Sequence, residues 1–292
     1  MALRAKKPEP VSKRLKLFMY GVAGSGKSMA AIQMPRPYII DTEKGVEQAA
    51  YVQLINQAKG VVFQTSSADD VVQELKSLLT EKHDFATVVI DSVTNIEDNV
   101  VQYASLRYDA DAKEGGDMRV WRDRDKAMRR ITSMLLALDM NVVMTAHSKI
   151  QYGENMVKLG RTFEGWKKWD YLFDLVLELS VVGKKRIAKV IKTRMAEFPD
   201  QETFEWSYAE LARRLGDNGC LENPAKPIAL ASPEQVVEIK QLLDTVKMEP
   251  EWAEKCLMKA NVDTWEDMPA DKIEKCIKMV RAKLNKTEGK AG

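Results

Sequence analysis

From Leu15 onward, short apolar runs alternate with amphipathic stretches. LKLFMY (15–20) is an apolar run that stops at a glycine, which predicts a buried strand. PYIID (37–41), GVVFQ (60–64), FATVVID (85–91) and NVVMTA (141–146) repeat that signature. FATVVID is almost wholly apolar, as a strand covered on both faces of a parallel sheet must be. Helical patterns lie between these runs. SMAAIQM (28–34) halts at Pro35. In DDVVQELKSLLT (69–80), Val71, Val72, Leu75, Leu78 and Leu79 share one face, with Asp69 and Asp70 at the positive end. Further helices are predicted from about Asn95 and over 122–139, the latter with Met128, Ile131, Leu135 and Leu138 on one side. YLFDLVLELSVV (171–182) and RIAKVIKT (186–193) flank a Gly-Lys-Lys turn and predict a hairpin. The alternation predicts an α/β fold with a mostly parallel twisted sheet and an antiparallel edge.

The same pattern divides the chain. Residues 1–14 carry cations, two prolines and no apolar run, and predict a solvated basic tail. The α/β core spans 15–216. Residues 217–231, rich in turn formers and proline, predict a linker. At 232–235, Ser-Pro-Glu-Gln sets an N-cap, a first-turn proline and a capping-box glutamine, so a small helical C-terminal module runs over 232–285. A polar tail closes the chain at 286–292.

Composition narrows the class. The 292 residues are 45% hydrophobic and 30% charged with net charge +2, ordinary for a folded domain. No apolar run approaches the ~18 residues of a membrane span, and the N-terminus does not read as a secretory signal. Three cysteines, all C-terminal, fit neither a disulfide framework nor a zinc site and suggest a reducing cytoplasm. Two histidines make a histidine-rich metal centre a poor fit.

The chemistry concentrates in one octapeptide. Gly21, Val22, Ala23, Gly24, Ser25, Gly26, Lys27 and Ser28 match G-x-x-x-x-G-K-[ST] in full, between a predicted strand and a predicted helix. Glycines let successive N–H groups turn inward onto phosphate oxygens, a lysine neutralises the outer phosphates, and the hydroxyl ligates Mg2+. Asp91, ending the strand TVVID, is placed to hold the magnesium shell. Glu43, two residues beyond PYIID, faces the ligand crevice and could orient or deprotonate an attacking water. His147, ending VVMTAH, could touch the γ-phosphate. His83, in a polar loop, carries no role.

Together these residues resemble the RecA-like recombinase ATPases, and more closely the phage-encoded RecA-core single-strand annealing proteins, over about residues 15–200. GVAGSGKS resembles the family's nucleotide loop, and YIIDTEKG (38–45) its catalytic-glutamate segment, which assigns that role to Glu43. TVVIDSVT (87–94) resembles the magnesium-shell segment, with Asp91. TAHSK (145–149) resembles the γ-phosphate sensor, here His147, and the family's DNA-binding loop then falls at about 149–169. KVIKTRM (189–195) resembles the strand that reaches a neighbouring subunit's ATP, making Lys192 and Arg194 fingers supplied in trans. The resemblance implies ATP and Mg2+ as cofactors, a homo-oligomer (ring or filament) with ATP between subunits, and single-stranded DNA as partner. It also implies a host-cell cytoplasmic location and a possible single-stranded DNA-binding protein as a second partner. The C-terminal module does not match the cellular recombinases, which favours annealing over strand invasion.

Two segments combine cations with aromatics. Residues 119–130 hold six cations against two acids, with Arg119, Arg122 and Arg124 beside Trp121. Residues 149–169 hold Lys149, Lys158, Arg161, Lys167 and Lys168 against two acids, with Phe163 and Trp166 among the aromatics. Cations follow a phosphate backbone and aromatic faces stack on bases. The competing reading is a P-loop ATPase acting as helicase loader or DNA-packaging factor. A small-molecule phosphotransferase fits less well, because these cations are interleaved with loop aromatics. A GTPase lacks its guanine-reading N-K-x-D.

Overall fold

The computed structural model describes residues 14–109, 117–216, 221–260 and 262–288. Two compact units emerge, and neither follows chain order. The first gathers residues up to Val71, His83–Asp125 and Asp139–Ala225; the second gathers Val72–Lys82, Lys126–Leu138 and Lys226 onward.

The first unit is built on one sheet. Strands β1 (Lys16–Gly21), β2 (Pro37–Asp41), β3 (Val61–Gln64), β4 (Thr87–Asp91), β5 (Asn141–Tyr152) and β7 (Leu175–Val182) lie in the order β3-β2-β4-β5-β1-β7, all parallel. β8 (Lys185–Thr193) and β9 (Thr203–Glu205) add an antiparallel edge, and β6 (Lys158–Phe163) pairs only with the far half of β5. Every residue of β1 and β4 is buried, which is why residues 17–20 and 88–90 read as unbroken apolar runs. Helix α1 (Lys27–Ile32) follows β1; α2 (Ala49–Gln57) leads to β3; α4 (Val93–Tyr108) follows β4. Leu17, Met19, Ile39, Val89, Val143 and Leu177 sit in one cluster with Phe198, Trp206 and Leu211, the last from α7 (Tyr208–Leu215). The expected α/β class, with its parallel core and antiparallel edge, is the architecture observed.

Three local expectations change. The predicted strand 171–182 starts only at Leu175, because Trp169–Leu172 forms a turn of helix (α6) that buries Trp169. The segment after His147 is an ordered hairpin: β5 runs on to Tyr152 and returns as β6, with Ser148 opposite Phe163. The first described residues of the predicted linker are held in place. Leu221 is buried and its carbonyl accepts from Asn141 Nδ2 at 2.8 Å, while the Arg14 guanidinium donates to the carbonyls of Asn223 and Pro224 at 2.8 Å each. Arg14, expected in the solvated tail, also pairs with Asp139 at 3.0 Å. The rest of that tail, residues 1–13, lies outside the described residues, as do 217–220 and 289–292.

The second unit holds α8 (Pro233–Val246), α9 (Pro250–Ala260) and α10 (Ala270–Glu288), with the C-terminal parts of α3 (Ala68–Thr80) and α5 (Met118–Ala137). Ser232 caps α8 with the capping box expected: its hydroxyl accepts from Gln235 N at 3.3 Å, and the Gln235 side chain accepts from Ser232 N at 3.0 Å. Ile239, Met268, Ile273 and Ile277 form its core, flanked by Trp265 and a partly buried Trp252. The unit is larger than 232–285 because the buried carboxylate of Asp267 is neutralised by Lys76 from α3 and by Arg130 from α5, the latter at 3.2 Å. Ile228 N also donates to the Leu79 carbonyl at 2.7 Å. No described helix is long and apolar enough to cross a membrane.

Candidate nucleotide site

The parallel strands β1, β2 and β4 end at a common rim. Gly21 lies opposite His147 across β1 and β5, and Asp41 opposite Asp91 across β2 and β4. The octapeptide loop leaves β1 at this rim. Gly21 is required by close approach: a Cβ there would fall 2.5 Å from Ser25 Oγ and closer still to the Leu179 carbonyl oxygen. Gly26 caps α1 at φ +92°, a conformation that residues with side chains rarely adopt. Lys27 Nζ folds back to donate to the carbonyls of Gly21 at 3.0 Å and Val22 at 3.2 Å. Burial lowers its pKa, against the pull of Asp91 and Glu43.

Asp91 is buried at the end of β4 and accepts hydrogen bonds from Ser28 and Thr145. Burial pushes its carboxyl above the ordinary range, in spite of those bonds. The Ser28 hydroxyl and the Asp91 carboxyl group bring two hard oxygen donors together beside the loop. That donor chemistry fits a magnesium ion. The Ser25 hydroxyl is buried inside the loop with no partner, and an orphaned donor suits a loop that receives oxygen acceptors.

Glu43 completes the rim. Its Oε1 accepts from Ser92 Oγ at 2.6 Å and lies 2.7 Å from His147 Nε2. Partial burial pushes the Glu43 carboxyl up, but the bonds from Ser92 and His147 and the nearby Lys27 charge outweigh it and hold the group below its ordinary range. Asp41 is structural, as its carboxylate accepts from the backbone N–H groups of Glu43 (3.1 Å) and Gly45 (3.3 Å). The backbone N–H of His147 donates to Thr94 Oγ1 at 3.1 Å, and that hydroxyl donates to the Glu164 carbonyl at 3.1 Å. β5 at His147, the start of α4 and the end of the β5–β6 hairpin are thereby tied together.

The sequence therefore brings the whole octapeptide, Glu43, Asp91 and His147 to one rim. It missed Ser92, Thr145 and Arg186. Thr145 was open to detection: it lies two residues before His147, hence on the same strand face. Arg186 follows the hairpin turn and lies against the phosphate loop, which only the pairing of β7 with β1 could disclose.

The other expected contacts find different surroundings. Trp166 is buried; its N donates to Glu97 Oε2 at 2.6 Å and its Nε1 to Asp125 Oδ1 at 3.1 Å, so its face is not open to a base. Phe163 packs edge-on to Phe18 at 5.1 Å between ring centres and beside Tyr20. Arg124 is held by Glu97 at 3.5 Å, Asp125 at 2.8 Å and the Trp121 face. Arg119 pairs with Asp117 and covers Tyr108. Arg122, Lys149, Lys158, Arg161, Lys167 and Lys168 stay exposed. Lys192 and Arg194 lie toward the opposite rim, where Thr193 pairs with Leu175 and Leu175 with Leu17. Lys192 donates to the Phe173 carbonyl; Arg194 donates to the Tyr171 carbonyl at 2.6 Å and pairs with Asp174 at 3.3 Å. Neither cation faces the phosphate loop of its own chain.

A family model described as AAA domain, AAA_24, matches residues 13–204 and so takes in the loop and the whole rim. The chain belongs to the AAA_24 family. It is an AAA-type P-loop ATPase domain, and the match includes every strand of the sheet except the end of the β9 edge. No curated protein matches the chain. Among solved structures, the crystal structure of the RadB recombinase is similar, at 17% identity and TM-score 0.41, over 67% of this chain and 88% of that one.

Proposed function

We propose that this AAA_24 protein hydrolyses ATP with a RecA-like catalytic rim and couples the nucleotide state to binding and annealing of single-stranded DNA. The observation that carries the reading is the Ser92–Glu43–His147 contact beside Asp91, because His147 lies on the strand that continues into an exposed basic hairpin. The backbone of the 21–28 loop and Lys27 grip the triphosphate. Ser28 and Asp91 hold magnesium, which supplies charge neutralisation at the outer phosphates. Glu43, kept ionised, orients and deprotonates the attacking water, a role worth about a hundredfold to ten-thousandfold in rate. His147 reads the γ-phosphate, and its strand carries that reading to Lys149, Lys158 and Arg161.

In this reading the protein assembles as a ring or filament. Lys192 and Arg194, turned away from their own loop, serve a neighbouring subunit's ATP, and Lys167, Lys168 and Arg122 supply further contacts to the DNA backbone. Phage origin and a single-stranded DNA-binding protein partner belong to the same proposal. ATP turnover with and without single-stranded DNA, in the wild type, Lys27→Ala and Glu43→Gln, tests it. The expected result is DNA-stimulated turnover that both variants lose, with Glu43→Gln still binding ATP. Turnover indifferent to DNA would instead favour a helicase loader or packaging ATPase.

A further inference from the structure

The phosphate loop has a neighbour on the side away from Glu43, Asp91 and His147. β7 flanks β1 there, and the β7–β8 hairpin runs past the end of β1: Gly21 pairs with Leu179, Leu179 with Ala188, and Val181 with Arg186. The hairpin turn, at Gly183 with φ +63°, therefore overhangs the loop. Arg186 lies directly against it. A Cβ built on Gly26 would fall 2.5 Å from the Arg186 Cδ and closer still to its Nε.

Arg186 is placed there by its backbone. Its carbonyl accepts from Trp206 N at 2.8 Å, and the next residue, Ile187, pairs with Glu205 of β9. Its neighbour Lys185 is occupied by Glu205. The Arg186 side chain is exposed, and among the described residues no carboxylate pairs with it. An unneutralised guanidinium held on a strand against a phosphate-binding backbone is a fork of donors awaiting anionic oxygens.

We infer that Arg186 is a nucleotide-binding residue supplied in cis, whose guanidinium grips the inner phosphates shared by ADP and ATP. The inference rests on the proposed ATP site and adds a side to it. The acids and His147 approach from the β2–β4–β5 side, where the outer phosphate reacts. Arg186 approaches from the β7–β8 side, and so contacts the part of the ligand that the reaction leaves unchanged. An interaction equal in the ground and transition states strengthens binding without accelerating chemistry. Arg186 is thus distinct from Lys192 and Arg194, which lie toward the other end of the same strand.

The test is calorimetric titration of the full chain with Mg-ADP and with a non-hydrolysable Mg-ATP analogue, together with steady-state ATP turnover, for the wild type, Arg186→Ala and Arg186→Lys. Arg186→Ala should weaken both nucleotides by a similar factor, about tenfold or more as expected when a charge-assisted hydrogen bond is removed, and raise KM with kcat little changed. Arg186→Lys should recover part of that affinity. Unchanged thermal melting of these exposed-site variants separates this from misfolding. Equal affinities in all three proteins would overturn the inference, as would a loss confined to the ATP analogue and kcat. A wild type that binds neither nucleotide would instead reject the ATP site itself.

Discussion

His147 Nε2 and Glu43 Oε1 stand 2.7 Å apart, although 104 positions of chain separate them. The contact joins the ends of two strands that are not neighbours: β4 lies between β2 and β5 in the sheet. Ser92, the residue that follows β4, fills the gap by donating to the same carboxylate oxygen. The strand that carries His147 leads directly into the basic hairpin.

Breaking that contact should uncouple DNA from turnover. His147→Ala is expected to reduce stimulation by single-stranded DNA about tenfold, the worth of one charge-assisted hydrogen bond, while ATP affinity changes little. Glu43→Gln should lower basal turnover itself by about a hundredfold or more. Comparing kcat with and without DNA in the two variants checks the division of roles; equal stimulation in His147→Ala and wild type would contradict it.

The loop glycines should not be equivalent. Gly21→Ala drives a methyl into the Leu179 carbonyl and Ser25, so the loop must shift. Gly24→Ala meets nothing within 4 Å and bears only the strain of its φ of +75°, about 1–2 kcal/mol. ATP affinity measured by calorimetry should therefore fall much further for Gly21→Ala.

The exposed hairpin and the buried tryptophan should separate in experiment. Replacing Lys149, Lys158 and Arg161 together by alanine should flatten the log-affinity against log-salt slope for single-stranded DNA by about 2 units, at ~0.7 for each phosphate no longer neutralised. Thermal stability should hold. Trp166→Ala should do the opposite, costing about 3–5 kcal/mol of stability as a buried large-to-small change, read by denaturant unfolding.

Lys16 gives the fold a pH dependence. It is buried in β1, where its ammonium donates to the Met140 carbonyl at 3.0 Å, and burial lowers its pKa from 10.5 to about 7, against the raising influence of Asp174 and Asp139. Between those values the unfolded chain holds the proton more tightly, so stability rises with pH, by at most about 1.4 kcal/mol per unit. The contribution is complete above the unfolded pKa and is lost as pH falls through about 7. Lys16→Met removes this term. Its stability relative to wild type should be most favourable at pH 6 and decline toward pH 10, as followed by urea unfolding; a constant difference would refute the assignment.

The sequence by itself determined the features that depend on neighbours in the chain. Strand and helix periods, the curled phosphate loop, the Ser232–Gln235 capping box and the strand-terminal positions of Asp91 and His147 are all short-range properties, set by residue spacing and by the few conformations that glycine and proline permit. Even Glu43 was legible, because two residues past a parallel strand is already the ligand rim. Tertiary structure alone decided which groups meet. Trp166 and Phe163 read as open aromatics until Asp125, Glu97 and Phe18 arrived from distant segments to bury them. Arg124 read as a DNA contact until Glu97 claimed it, and the predicted linker read as free until Asn141 and Arg14 bound it. Arg186 was one more cation beside a turn until the pairing of β7 with β1 laid it on Gly26. Burial and ion pairing are properties of three-dimensional neighbours, and a side chain's availability to a ligand is what remains after those neighbours have taken their share.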